Sequence, residues 1–205
     1  MSTSIAEYVA HQVDVLPARS FVAVRDIEGP RNAVESAFSR LASDGTIARV
    51  RKGLYWKGTD TGIGMAPPRT EEIAPAIGGL GSGPAGVAAA HSLGLTTQVP
   101  STYLCAVPGR APAPCQGIRF VQRPVDRRFL GLTPAEVAVL EVLRGGPTSL
   151  ESDWSRLGGV IGDLGDRDII RLDLLDRALT NEPHRAARAR WQRLLREPLT
   201  SAVEL

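Results

Sequence analysis

The chain has 205 residues, 43% of them hydrophobic and 22% charged, with a formal net charge of +2. This is the balance of a globular protein with a substantial core, and it is too close to neutral for a polycationic nucleic-acid coat or a membrane-surface protein. No run reaches the ~20 apolar residues of a membrane span, and the early residues carry Glu7 and no basic leader, so the expected location is the cytoplasm, with no membrane partner.

The first element is a helix capped by Ser2 or Ser4, in which Ile5, Tyr8, Val9, Gln12, Val13 and Leu16 follow the helical period and Glu7 sits at the positive end of the dipole. Pro17 ends it. Phe21-Val22-Ala23 suits a short strand, and Val24 to Glu28 a brief second helix. From Pro30 the spacing of Val34, Ala37, Phe38 and Leu41 at i, i+3, i+4, i+7 predicts a third helix with one apolar stripe, stopped at Asp44-Gly45. Val13 and Leu16 are expected to pack on Phe38. The opposite side carries Asn32, Ser36, Ser39 and Ser43, edged by Arg31 and Arg40.

Thr46 to Val50 and Leu54 to Trp56 are β-prone runs joined by Arg51-Lys52-Gly53, a three-residue connection whose glycine supplies the positive φ a hairpin needs. Helix, short strand, helix, helix and hairpin in residues 1–60 predict a winged helix-turn-helix, with double-stranded DNA as partner. Arg49, Arg51, Lys52 and Lys57 would reach phosphate oxygens or a minor groove, and Arg31 and Asn32 would meet base edges. A protein-binding role for the same module stays open.

Residues 58–70 have the glycine and proline density of a linker, which places a second domain at 61–205. There a short helix is expected over Glu71 to Ile77. Gly81, Gly83 and Gly86 match G-x-G-x-x-G, but a helix precedes them where a dinucleotide fold needs a strand, and no acid follows at the right distance for a ribose. No cofactor is expected. The glycines read instead as a turn that lets a small-residue helix, Val87 to Leu93, pack closely.

Between Val99 and Val125, TYLCAV and GIRFVQRP predict a small antiparallel sheet. Cys105 and Cys115 should be thiols, and the scattered His11, His91 and His184 give no support for a metal site. Thr133 to Glu136 is a capping box, and further helices are expected over Leu150 to Ile161, Asp166 to Leu179 and Pro183 to Arg196. The acids from Glu151 to Asp176 and the arginines of the last helix form opposite poles suited to pairing. On that last helix Ala187, Trp191, Leu194 and Leu195 make an apolar stripe among arginines, which either packs on its own domain or meets a partner protein or nucleic acid, with Arg188, Trp191 and Arg193 the candidates for that contact. No catalytic constellation is recognisable, so no enzyme is expected. The fold class is α+β: a winged helix-turn-helix, then a mixed α/β domain ending in helices.

The segment RNAVESAFSRLASDGTIARVRKGLYW, a proline-containing linker and then AAAHSLGLTTQVPSTYLCAVPG occur in an order and at a separation that resemble the AbiEi-type antitoxins of type IV toxin-antitoxin systems, an abortive-infection family. The likeness covers most of residues 1–145. It implies that the winged helix represses its own promoter at inverted repeats, through Arg31, Asn32, Ser36, Ser39 and Arg40 on the helix and Arg49, Arg51 and Lys52 on the wing. Two molecules per repeat, a dimer on DNA, are expected. It also implies that the second domain counteracts a co-encoded nucleotidyltransferase-like toxin, directly or indirectly. A one-component regulator whose second domain binds an effector is the alternative.

Overall fold

The computed structural model describes residues 4–146 and 154–196. The chain is a mixed α+β protein of two compact units, Met1–Arg69 and Thr70–Leu205. No helix among the described residues is long and apolar enough to cross a membrane.

In the first unit, helix α1 (Ile5–Asp14) starts at a complete capping box: the Ser4 hydroxyl accepts the Glu7 N–H and the Glu7 carboxylate accepts the Ser4 N–H at 2.9 Å. Strand β1 (Ser20–Ala23) follows, then a single 3-10 turn over Val24–Asp26. That turn replaces the helix expected as far as Glu28. Gly29 takes φ +136°, and the position before a proline is disfavoured in the helical region, so the backbone cannot continue to wind.

Pro30 then serves as the N-cap, not the first turn, of α2 (Arg31–Ser43). After Gly45 (φ +82°) come β2 (Ala48–Arg51) and β3 (Leu54–Lys57), in an antiparallel sheet of order β1-β3-β2. The strand starts two residues later than expected because Thr46 is held in the turn, its N–H and hydroxyl both donating to the Asp44 carboxylate.

Val9, Val13, Val34, Ala37, Phe38, Ile47 and Tyr55 close one core over the sheet, with Leu16 and Leu41 packed against it, in line with the expected helical stripes. Phe38 is fully buried and stacks on Tyr55, ring centroids 4.9 Å apart. The domain boundary lies nine residues later than residue 60, at Arg69/Thr70, because the segment after β3 folds back. Trp56 Nε1 donates to the Ala66 carbonyl at 2.8 Å, and Ala66 N–H to Thr59 at 2.9 Å.

Lys57 departs from the sequence expectation of a phosphate contact. Its ammonium donates to the carbonyls of Val13, Asp14 and Leu16 at 3.0, 2.6 and 2.8 Å, which places three donors and a positive charge on the C-terminal end of α1. Lys57→Met is therefore expected to destabilise the first unit by about 1–3 kcal/mol, as hydrogen bonds from a charged donor are lost. A fall in the urea midpoint with no change in the salt dependence of any DNA binding is the predicted result. The opposite pattern would return Lys57 to the phosphate role.

The second unit begins with α3 (Thr70–Gly78), a two-residue strand β4 (Gly83–Pro84) and α4 (Val87–Ser92). The glycine-rich turn is a packing device: a Cβ on Gly83 would collide with Val137 and the Pro134 backbone, and one on Gly81 with the backbone of Arg127 and Arg128. Strands β5 (Tyr103–Pro108) and β6 (Ile118–Arg123) pair in parallel, not antiparallel as expected, while β4 runs antiparallel to β5. Residues 109–117 carry the chain back along the sheet and turn it through Gln116 and Gly117, both at positive φ, so that β6 re-enters in the direction of β5.

A short turn of helix α5 (Asp126–Phe129) leads to α6 (Pro134–Gly145), opened by the expected capping box of Thr133 and Glu136. Then come α7 (Trp154–Asp166), α8 (Leu172–Thr180) and α9 (Arg185–Arg196). The start of the helix expected from Leu150, with Glu151 and Asp153, lies outside the described residues. Helix α6 is the centre of this unit: Val137 to Leu140, Val142 and Leu143 are buried against Ala89, Ala90, Leu157, Ile161, Leu175, Leu179 and Trp191. Cys105 is buried and Cys115 half-buried, both free, and burial pushes the Cys105 thiol up to about 12.

Candidate nucleic-acid interface

The stripe that buries Val34, Ala37 and Phe38 turns the other side of α2 outward, and Arg31, Asn32, Ser36, Ser39 and Arg40 are all exposed there. The pleat of β2 acts in the same way: Val50 is buried while Arg49 and Arg51 are exposed, and a register shift between those two residues bends the strand ahead of the Lys52-Gly53 turn. Gly53 adopts φ +77°, and Lys52 is exposed at the tip. Apart from Lys57, every residue expected to meet DNA is thus on the surface, on two elements anchored by one Phe38–Tyr55 stack.

The serines have a specific chemistry. Ser36, Ser39 and Ser43 each donate their hydroxyl proton to the carbonyl four residues back, at 2.8–2.9 Å. Their oxygens face outward as acceptors, and their small size leaves a shallow surface. Arg31 donates from Nε to Glu35 at 2.9 Å, an exposed i,i+4 pair, whereas Arg40, Arg49, Arg51 and Lys52 make no ion pair among the described residues. No acid lies in the first turn of α2, so the positive end of its dipole is uncompensated on its own helix. At the other end the Thr46 hydroxyl and N–H hold the Asp44 carboxyl below its usual range.

The candidates on the last helix fall differently. Trp191 is 1% exposed, packed in the core with its Nε1 donating to Asp176 at 2.8 Å, which removes it from any partner-facing surface. Arg188 donates to the Glu182 carbonyl, and Arg190 to the carbonyls of Leu143 and Arg144, closing the end of α6. These two arginines of the basic pole thus cap backbone in place of pairing with the acidic stretch. Arg193 also has an interaction within the protein.

Two features of the second unit escaped the sequence reading. One is a buried ionic cluster: Glu141 accepts a bidentate pair from Arg123 at 2.7 and 2.8 Å and one hydrogen bond from Arg127 at 2.7 Å, while Glu182 accepts from Arg127 at 3.1 Å and from Arg144. Burial pushes Glu141 upward, but the Arg123 hydrogen bonds and the charges of Arg127 and Arg123 outweigh it and hold the carboxyl below the ordinary range. The other is a cleft between α3, α4 and the start of β5. Its only sequence signal was Ala88, His91 and Ser92 at i, i+3, i+4 on one face of α4.

The fold and surface thus define an α+β protein of two units, the first carrying an exposed cationic helix and hairpin. The model of a family of unknown function, DUF6088, matches residues 10–120, and the chain belongs to that family. The match runs from α1 into β6, across parts of both units. The crystal structure of the Rv2827c protein from Mycobacterium tuberculosis is similar with a TM-score of 0.44 and 19% identity, over 92% of this chain and 75% of that one. No curated protein matches the chain.

Proposed function

We propose that the first unit is a winged helix-turn-helix that binds double-stranded DNA, with α2 in the major groove and the β2–β3 hairpin as the wing on phosphate. The observation that carries this reading is the convergence of Arg31, Asn32, Ser36, Ser39, Arg40, Arg49, Arg51 and Lys52 on one helix face and one hairpin, all exposed, while the opposite sides of both elements share a core. Phosphate contacts from the wing fix position, and Arg31 and Asn32 near the start of α2 read base edges. The whole chain acts as a cytoplasmic, non-enzymatic antitoxin of the type IV kind: it represses its own promoter at inverted repeats, as a dimer on DNA, and counteracts a co-encoded nucleotidyltransferase-like toxin. The likeness in residues 1–145 to AbiEi-type antitoxins supports that part. The alternative is a one-component regulator, which the cleft in the second unit favours.

Gel shifts with the DNA upstream of the reading frame test the DNA role. Arg51→Ala with Lys52→Ala should lower affinity on every sequence and make the slope of log K against log salt shallower by about 1.8, at roughly 0.9 per phosphate contact. Arg31→Ala should cost about 1–3 kcal/mol on the operator and much less on random DNA. No salt-sensitive binding at all would remove the DNA reading. For the antitoxin role, growth arrest by the neighbouring nucleotidyltransferase, relieved only when this protein is supplied, is the expected outcome.

A further inference from the structure

Helix α2 carries one acid in 13 residues, Glu35, on the same edge as Arg31. A carboxylate beside the side proposed to face DNA repels phosphate, so its place there calls for a physical reason. Helix stability does not supply one. Arg31 is the first residue of α2, with its charge at the positive end of the dipole, and a cation ahead of the acid is the weaker of the two i,i+4 orders. The pair is also open to solvent, the Arg31 side chain 81% and the Glu35 side chain 40% exposed, where such contacts contribute little.

The geometry does supply one. The Glu35 carboxylate accepts the Nε–H of Arg31 at 2.9 Å. It has no other side-chain partner among the described residues, since the hydroxyl one turn on, Ser39, gives its proton to the Glu35 backbone carbonyl. With Nε held, the guanidinium plane is fixed, and its two terminal NH2 groups, which have no partner among the described residues, stand exposed as a fork. Two parallel donors match the O6 and N7 acceptors of guanine. No other base offers two adjacent acceptors in the major groove.

We infer that Glu35 is a positioning residue for Arg31, and that the pair reads a guanine in the major groove at the start of α2. Glu35 itself touches no base: it sets the arginine's torsions before DNA arrives, so less side-chain freedom is lost on binding. This role rests on the reading of the first unit as DNA-binding and adds a base to it.

The test is selection of duplexes from a random-sequence library by the full chain, followed by Kd measurements on the selected duplex and a scrambled one. The parent should enrich a guanine that Arg31→Ala no longer selects, and Glu35→Ala should lose the same guanine. On the selected duplex Glu35→Ala should bind about three- to tenfold more weakly, as the arginine's torsions are left unset. On the scrambled duplex it should bind as tightly or more tightly, because an acid has gone, and that retained binding shows that the unit is folded. Glu35→Gln, whose amide oxygen still accepts the Nε–H, should recover part of the loss. Placing 7-deazaguanine, which lacks the N7 acceptor, at the selected guanine should weaken the parent about fivefold or more and neither alanine variant further. A parent that selects no guanine, or a Glu35→Ala that keeps it, stays sensitive to 7-deazaguanine or binds both duplexes more tightly, would overturn the role of Glu35. Binding to no duplex at all would instead remove the DNA reading, so the two failures are told apart.

Discussion

Glu141→Gln is expected to destabilise the second unit by about 3–5 kcal/mol, the cost of leaving buried charge without its partner. Arg127 is 3% exposed and has only Glu141 and Glu182 as ion-pair partners among the described residues, and Arg123 would lose both of its hydrogen bonds to Glu141. The thermal midpoint of this unit should fall by the order of 10 °C. The cluster also sets a pH limit. A carboxyl whose folded pKa lies below its unfolded value contributes stability that is complete above the unfolded value, about 4.3 for glutamate, and is lost as pH falls through the folded one. Stability should therefore decline below about pH 4.3, and the decline should be shallower in Glu141→Gln, which has no proton to take up. Replacing Glu141 and Arg127 together by Leu and Met should recover part of the loss, since an apolar pair leaves fewer orphaned charges. An unchanged midpoint in Glu141→Gln would mean that the cluster contributes nothing net to stability.

The second large effect is expected from Phe38→Ala. Truncating a fully buried phenylalanine costs about 3–5 kcal/mol, and loss of the stacked ring at Tyr55 adds up to about 1 more. Because Phe38 stands on α2 and Tyr55 on β3, the cavity would loosen the helix and hairpin together. Trp56 reports on this unit, and changing Trp154 and Trp191 to Phe would isolate its fluorescence. The urea midpoint of that signal should drop well below that of the parent, with DNA affinity falling at concentrations where the unit is partly unfolded. Phe38→Leu should lose less than half as much.

The elements read most accurately from sequence were those fixed by chemistry within a few residues. The Thr133–Glu136 box, the 3.6 spacing of Val34, Ala37, Phe38 and Leu41, and a glycine at the hairpin turn each specify their element locally, and the exposure of Arg31, Asn32 and the wing cations followed from the same periodicities. What could not be read was non-local. The direction of β6 depends on how residues 109–117 return across the sheet, and two strands of identical composition pair either way. Lys57 finds carbonyls more than 40 residues away, and Arg127 finds Glu182 at a separation of 55, so neither partner is visible in a local window. Trp191 was misplaced for a related reason: an amphipathic stripe tells that a helix buries one side, and only tertiary packing tells against what.

The two lysines, both in the first unit, end in opposite circumstances: Lys57 is saturated by three carbonyls, while Lys52 stands exposed on the hairpin turn. Acylating reagents consequently meet one openly nucleophilic side-chain amine in the whole polypeptide. Among the side chains, a fluorophore or cross-linker coupled through an amide therefore addresses a single, known point beside the surface proposed to face the duplex, the α-amino group being the other amine that such a reagent meets.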